Sequence, residues 1–360
     1  MRPSFLRPVC AVVLLIALLS GCSSPTVTAS PTPISPSSSP AAAPSLAPTP
    51  APTTAPTPPP ASPTLPAKTP TAAANAAPTT VPGFPVTVTD DAGRTVTFDR
   101  PPRRIISLSP GHTETLYALG LGDDVVMTDT YSDYPPENKP KAKLNTYPKP
   151  NVEEIVSLKP DLVVVLVEGN DFIQQMDARH IPVLKVFPRT FDGTLKDIDM
   201  LGKVTGTETR AVQVTDSMRA RADAVVARTK DAPRPRILYE LDASDPTKPF
   251  VAGTGGFYGD LVPMAGGTNI FADVKQSAAQ VSAEQIIARD PQIILLADAD
   301  SPYNAQTPAM VKARPGWSQI SAVRNGKIYP VNSELLTRPG PRLAEGLEDL
   351  AKTIHPELFK

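Results

Sequence analysis

Several aromatic and charged side chains of this chain lie outside any periodic apolar face, and its chemistry has to be sought among them. Tyr131 and Tyr134 fall in Tyr131-Ser132-Asp133-Tyr134-Pro135-Pro136, Tyr147 precedes Pro148, and Phe257 and Tyr258 follow Gly253-Thr254-Gly255-Gly256. A tyrosine off a core face can present a flat apolar body and a polar tip to a large ligand. Each one alone reads equally well as loop packing; their clustering favours a binding surface. The glycine run could cradle an anion at a helix start, although glycine at such a turn more often serves backbone geometry. His112 follows an apolar strand, where an α/β sheet places its crevice, and is expected to face solvent or a local hydrogen-bond partner. The histidines are His112, His180 and His355, and none is placed to complete a metal set with His112, so no metal site is expected. The sequence has no Gly-x-Ser-x-Gly elbow, phosphate loop or His-Glu-x-x-His, a pattern that suits binding better than catalysis.

Those residues need a scaffold, and the apolar runs supply one. Segments 104–108, 161–166, 182–186, 236–239, 292–296 and 327–331 read as buried strands, and 113–119 as a helix stopped by Gly120 and Gly122. A hairpin is expected at 86–98 around Asp90-Asp91-Ala92-Gly93. Alternation of strand and helix signals predicts α/β units with mostly parallel sheets. A repeat is superimposed on that rhythm: Asn151-Val152-Glu153-Glu154-Ile155-Val156-Ser157-Leu158-Lys159-Pro160-Asp161-Leu162-Val163-Val164 aligns without a gap on Ser282-Ala283-Glu284-Gln285-Ile286-Ile287-Ala288-Arg289-Asp290-Pro291-Gln292-Ile293-Ile294-Leu295. Each copy has an N-cap, a first-turn glutamate (Glu153 or Glu284), a proline that stops the helix and a strand. Segments 116–126 and 261–271 echo each other more weakly. Two similar lobes follow, too few for a solenoid. Between them 195–229 reads as helical, with a break at Gly202 or Gly206, and some 20 helical residues would make a strut of about 30 Å.

Composition sets the boundaries. The chain has 360 residues and a formal net charge of −1, which gives no reason to expect a nucleic-acid partner. Its only cysteines are Cys10 and Cys22, so the globular part has no disulfide or thiolate site. Residues 1–21 carry Arg2 and Arg7 ahead of a short apolar run, as a signal peptide does. Leu19-Ser20-Gly21-Cys22 resembles a bacterial lipobox, which makes Cys22 the lipidation site and the mature N-terminus. Acyl chains on Cys22, worth about 0.8 kcal/mol per buried methylene, would hold the protein on a membrane. Residues 22–82 are nearly all Pro, Ala, Thr and Ser and read as a disordered tether.

Ile106-Ser107-Leu108-Ser109-Pro110-Gly111-His112-Thr113-Glu114-Thr115-Leu116-Tyr117-Ala118-Leu119-Gly120, the Tyr131 segment, both repeat copies and Ala265-Gly266-Gly267-Thr268-Asn269-Ile270-Phe271 together resemble the cobalamin and ferric-siderophore binding proteins of ABC importers, closest to the cobalamin branch. The resemblance implies two Rossmann-like lobes joined by a long backbone helix, with the ligand in the cleft between them. Domains are expected at 83–102 (hairpin), 103–192 (lobe 1), 193–231 (interlobe helix) and 232–360 (lobe 2). It further implies a non-enzymatic, extracytoplasmic monomer without a cofactor, anchored to a bacterial membrane, that delivers a small-molecule ligand to a permease. Tyr131 and Tyr147 match aromatic cleft positions and Arg338 lies in a polar C-terminal loop; with His112, Phe257 and Tyr258 they make the expected ligand set. Glu153 and Glu284 match the pair that docks to the permease. Tryptophans of the branch are replaced by Leu166 and Ala278, and Trp317 lies elsewhere. The rival readings are a ferric-siderophore or haem receptor, an enzyme on a similar two-lobed fold, and a wall-organising lipoprotein.

Overall fold

The computed structural model describes residues 81–301 and 303–360. The signal-peptide and Cys22 readings, and all of the tether before residue 81, lie outside the described residues. The strands β1 (Val86–Thr89) and β2 (Thr95–Phe98) form the expected antiparallel hairpin. Asp90 closes its turn, accepting hydrogen bonds from the Ala92 and Arg94 amides and an ion pair from Arg94 at 3.0 Å.

The first lobe runs β3 (Ile105–Ser107), α1 (Pro110–Ala118), β4 (Val125–Asp129), β5 (Ala142–Leu144), α2 (Val152–Ser157), β6 (Leu162–Val165), α3 (Asn170–Asp177) and β7 (Val183–Lys185). Its sheet is wholly parallel in the order β5-β4-β3-β6-β7. Two helices follow, α4 (Phe191–Thr205) and α5 (Glu208–Thr229). The second lobe runs β8 (Arg236–Asp242), β9 (Phe250–Ala252), α6 (Tyr258–Met264), β10 (Thr268–Asn269), β11 (Ala278–Gln280), α7 (Ala283–Arg289), β12 (Ile293–Leu296), α8 (Pro308–Ala313), α9 (Ser321–Arg324), β13 (Ile328–Pro330), α10 (Ser333–Leu336) and α11 (Leu343–Ile354). Here β10, β12 and β13 lie parallel in register with β8 or its neighbour, whereas β9 and β11 add an antiparallel edge.

The internal repeat is reproduced in three dimensions. Asn151 caps α2 by accepting from the Glu153 and Glu154 amides, and Ser282 caps α7 within a capping box that includes Gln285. The residue before each proline is left-handed, Lys159 at φ 48° and Asp290 at φ 41°. An arginine at the start of each central strand grips that turn: Arg104 donates to the Leu158 carbonyl at 2.7 Å and Arg236 to the Asp290 carbonyl at 2.7 Å. Gly120 and Gly266, the stops after α1 and α6, also share positive φ, 83° and 81°.

The apolar strand runs are explained by burial on both faces. In β6, Leu162 and Val164 point into one core while Val163 and Val165 point into another. In β12, Ile293 and Leu295 join the same first core, and Ile294 and Leu296 enter a third around Trp317. The shared core passes through α4, α5 and α11 and joins the lobes.

The long helical stretch resolves into two helices packed on each other. Gly206 carries the break, at φ 69°, and Gly202 lies inside α4, where a side chain would collide with Ala211. The helix α5 spans the lobes: Arg210 at its start donates to the Ala118 carbonyl of lobe 1 at 2.9 Å, and Thr229 at its end to the Met264 carbonyl of lobe 2 at 3.3 Å.

A second junction joins α1 to the segment before α11. Gly111 and Gly340 bring the two backbones so close that a side chain on either would strike the other chain. Beside them Arg342 makes a two-pronged pair with Glu114 at 2.8 and 2.6 Å, and its guanidinium lies 3.9 Å from the centre of the Tyr134 ring. Arg338 bonds Asp133 at 2.6 Å and lies 3.7 Å from Glu114, whose side chain is 3% exposed. Removing one partner of a buried pair strands the other charge. Arg342→Ala is therefore expected to destabilise the fold by about 3 kcal/mol in urea titrations, and an unchanged midpoint would show that Arg338 alone neutralises Glu114.

Candidate functional site

The loops that follow the parallel strands gather at one edge of each sheet, where α/β proteins bind ligands. In lobe 1 these are the turn into α1, the loop 130–135 after β4, the loop 145–150 after β5 and the segment 166–169 after β6. In lobe 2 they are 243–249 after β8, 297–304 after β12 and the 331–332 approach to α10.

The loop after β4 rests on a buried hydroxyl relay. Thr113 on α1 lies 2.9 Å from both the Ser107 and the Ser132 hydroxyl, and Ser132 donates to Asp129. Asn138 donates to the Ser132 carbonyl at 2.7 Å and Lys143 to the same oxygen at 2.5 Å. Ser132 and Asn138 are fully buried. Burial raises the Asp129 carboxyl, and the Ser132 hydroxyl and Tyr131 amide partly reverse this by favouring the charged form. So fixed, the loop holds Tyr131 half exposed at 50% and Tyr134 at 42%. Tyr147 is 76% exposed, with its amide bonded to the Asn145 side chain at 3.1 Å. A cavity of about 250 Å³ opens beside it, walled by Pro148, Pro150, Val152, Val167 and Phe172 with Glu168 below. Pockets for drug-sized ligands run from about 300 Å³ upward, so this one accommodates only part of a large ligand.

The other expected contacts stand differently. His112 is not solvent-facing but 1% exposed, and neither ring nitrogen has a hydrogen-bond partner among the described residues. Burial pulls it down to about 4. Phe257 is a core residue at 4% exposure, packed against Tyr258 with ring centres 4.4 Å apart and planes tilted by 52°, and offers no face to a ligand. Tyr258 is partly buried and meets Tyr239 edge-on at 6.5 Å. Arg338 is held by Asp133, with Glu334 at 3.6 Å on its other side, so a ligand reaches it only by displacing a carboxylate. The glycines at 253–256 serve packing: Gly253 and Gly255 let the backbone run against the carbonyls of Gln276 and Lys275. Leu166 is partly buried, Ala278 is exposed on β11, and Trp317 is buried in lobe 2.

Structure adds residues that the sequence did not single out. Tyr303, 88% exposed, lies in the loop after β12, and the position of that loop beyond an apolar strand was its available signal. Asp242 and Asp300 border the same loop: Asp242 takes a bond from Asn304 at 2.7 Å, and Asp300 takes one from Ser333 at 2.7 Å. Asp298, buried beside Glu240, is pushed up to about 6 by burial and that neighbouring charge. With Asp133 and Glu168 on lobe 1, carboxylates outnumber free cations around these loops among the described residues. Such an edge suits a ligand of low negative charge.

The model of a family described as periplasmic binding protein matches residues 105–335. An ABC transporter substrate-binding lipoprotein of Bacillus subtilis, YvrC, described as uncharacterized, is 35% identical over 77% of this chain and 88% of its own. A vitamin B12-binding protein of Vibrio cholerae is 30% identical over 69% of this chain and 88% of its own. The crystal structure of a possible iron-binding, periplasmic solute-binding protein from Staphylococcus epidermidis superposes with a TM-score of 0.62 at 30% identity, covering 71% of this chain and 99% of that one.

The buried histidine makes a prediction about acid stability. Its folded value, about 4, lies below the ordinary 6.5, so the folded state gains fully above 6.5 and loses that gain as the pH falls toward 4. Asp298 and Asp197 are raised and act in the opposite sense, but they cancel when two variants are compared. Wild-type minus His112→Leu stability, measured by urea unfolding, should fall by on the order of 2–3 kcal/mol across that window; a flat difference would place a proton on His112 in the folded state.

Proposed function

The chain belongs to the periplasmic binding protein family and is the substrate-binding protein of an ABC transporter, not an enzyme; on that premise we propose that its ligand is a corrinoid, captured between the lobes. One observation carries the reading: Tyr131 and Tyr134 are held outward by a loop bonded through the buried Ser132 and Asn138, with Tyr147 exposed on the next loop. A corrinoid is broad and flat-faced with amide arms, and it calls for aromatic walls and scattered polar groups rather than a concentrated charge. Leu166 and Ala278, smaller than the tryptophans of the cobalamin branch, widen the space and suit cobinamide as well as cobalamin. Relatives named for vitamin B12 support the same class. A ferric siderophore would ask for several free basic groups at this edge, where Lys149 beside the cavity stands among more numerous carboxylates, and His112 has no nitrogen directed to solvent for haem iron.

Anchoring is part of the proposal: Cys22 carries the lipid, and the following Pro-rich segment separates it from the receptor. So is docking. Glu153 and Glu284 occupy matching first-turn positions on α2 and α7, one per lobe and both exposed. Glu153 makes an ion pair with Arg179 at 3.2 Å and its side chain is 77% exposed, which leaves it open to a stronger partner. The hydrogen bond from its own amide and the Ser282 hydroxyl lower the Glu284 carboxyl, keeping it charged.

Two measurements test the proposal. Calorimetric titration of the full chain with cobalamin or cobinamide should give saturable binding, weakened by about 2–4 kcal/mol in the Tyr131→Ala, Tyr147→Ala double variant. Saturation by haem or a ferric hydroxamate with no heat from either corrinoid would instead assign the sister class. In cells, Glu153→Lys with Glu284→Lys should stop ligand uptake while calorimetry shows unchanged affinity; normal uptake by that variant would leave the two glutamates as helix-start residues only.

A further inference from the structure

The loop after β7 carries an arginine that reaches across to the other lobe. Arg189 is exposed, and its Nη1 donates to the Gly255 carbonyl at 3.0 Å. Its guanidinium carbon lies 4.4 Å from the centre of the Phe187 ring, so an aromatic face from its own loop and a carbonyl from lobe 2 hold the group on two sides. Among the described residues Nε and Nη2, which form the side edge of the guanidinium, have no acceptor, and Arg189 is in no ion pair. The carboxylates of the adjoining elements are committed elsewhere, Asp192 to Lys196 at 2.8 Å and Asp260 to the Phe191 amide at 3.0 Å. This arginine belongs to the ligand edge. Lys185, at the end of β7, donates at 3.1 Å to the carbonyl of Glu168, in the segment that walls the cavity beside Tyr147. On the lobe 2 side the Gly255 amide donates to the Gln276 carbonyl at 3.1 Å, which lays the loop gripped by Arg189 against the approach to the exposed Ala278.

A planar fork with one edge open, already oriented before a ligand arrives, is matched to an oxyanion that accepts two parallel N–H bonds. The lysines nearby, Lys149 and Lys185, bring charge but no such edge. We propose that Arg189 is a ligand-binding residue that takes the phosphodiester of a complete corrinoid and so favours complete corrinoids over truncated ones. The inference rests on the corrinoid reading above and adds to it the group by which the ligand is told apart. In cobalamin the phosphodiester lies in the loop that ties the lower base to the ring, and it is the one negative charge on the periphery of the molecule. Cobinamide lacks that loop and presents amides and an alcohol there. A single cation set among the carboxylates of this edge accepts one oxyanion at one point, while those carboxylates disfavour a ligand that carries several. Because Arg189 is held from both lobes, the phosphate would be bound where the lobes meet.

The test is calorimetry of the full chain, wild type and Arg189→Gln, with cobalamin, cobinamide and cobinamide phosphate, the last of which has the phosphate but no lower base. The glutamine amide can still donate to Gly255, so the variant loses the charged edge and keeps the contact between the lobes. Its Kd for cobalamin and for cobinamide phosphate should rise by roughly ten- to a hundredfold, the worth of a charge-assisted pair of hydrogen bonds. Its Kd for cobinamide should equal that of the wild type, which also shows the cleft to be intact. Equal weakening of all three ligands would overturn the proposal, because Arg189 would then support the cleft without reading the phosphate. So would unchanged cobalamin affinity, or a loss confined to cobalamin, which would assign the arginine to the base. Each of those results leaves the corrinoid reading standing, whereas a wild type that gives no heat with any of the three removes that reading and this one with it.

Discussion

The carboxylate of Glu114 is almost wholly removed from water on α1, and its charge is met from the other lobe by Arg342, with Arg338 close behind. An ion in that position is costly to desolvate and is tolerated only if its partner stays in place. The pair thus fixes the distance between α1 and the segment before α11. Gly111 and Gly340 allow that distance to be short, since any Cβ at either position would push the backbones apart. Together with α5 and the shared apolar core, this junction makes the two lobes one mechanical body with little freedom to swing wide.

The loop that carries Tyr131 and Tyr134 inherits its order from the same place. Arg342 stacks on Tyr134, Arg338 holds Asp133, and Thr113, one residue before Glu114, begins the relay that locks Ser132. The β4 loop is therefore braced from two sides, by buried hydroxyls of its own lobe and by cations of the other. A ligand meeting Tyr131 would encounter a surface already ordered, which lowers the entropic cost of capture.

Symmetry between the lobes is strongest where it has a mechanical purpose. The cap, the first-turn glutamate, the left-handed residue before proline and the arginine that grips the turn recur in both copies. It is lost at the loop edge that follows the strands. Lobe 1 has a wholly parallel sheet and exposes Tyr131, Tyr134 and Tyr147, whereas lobe 2, which exposes Tyr303, diverts β9 and β11 into an antiparallel edge and lines its loops with carboxylates. A conserved frame with dissimilar rims is what a receptor needs if both lobes must present matching docking points and yet touch different faces of one ligand.

What the sequence alone determined was whatever depends on local pattern. The strands β3, β6, β8 and β12 were legible because their residues are buried on both faces and read as apolar runs, and the edge strands β7 and β13 because short apolar runs mark them. The repeat was legible because caps and prolines act over a few residues, and the family because its motifs come in order. The strands β5, β10 and β11 were not, since their few residues are small, polar or largely exposed, carry no apolar run, and are strands only by pairing with a neighbour. The fate of individual site residues was likewise decided by tertiary structure. Tyr131 and Phe257 look alike in sequence, each aromatic in a loop beside an apolar segment, but one is turned outward by a buried serine relay and the other is packed into a core. Arg338 reads as a free cation until Asp133, far away in the chain, is folded against it. Burial and ion pairing are properties of contacts between distant segments, and no local spacing of residue types encodes which distant segment arrives.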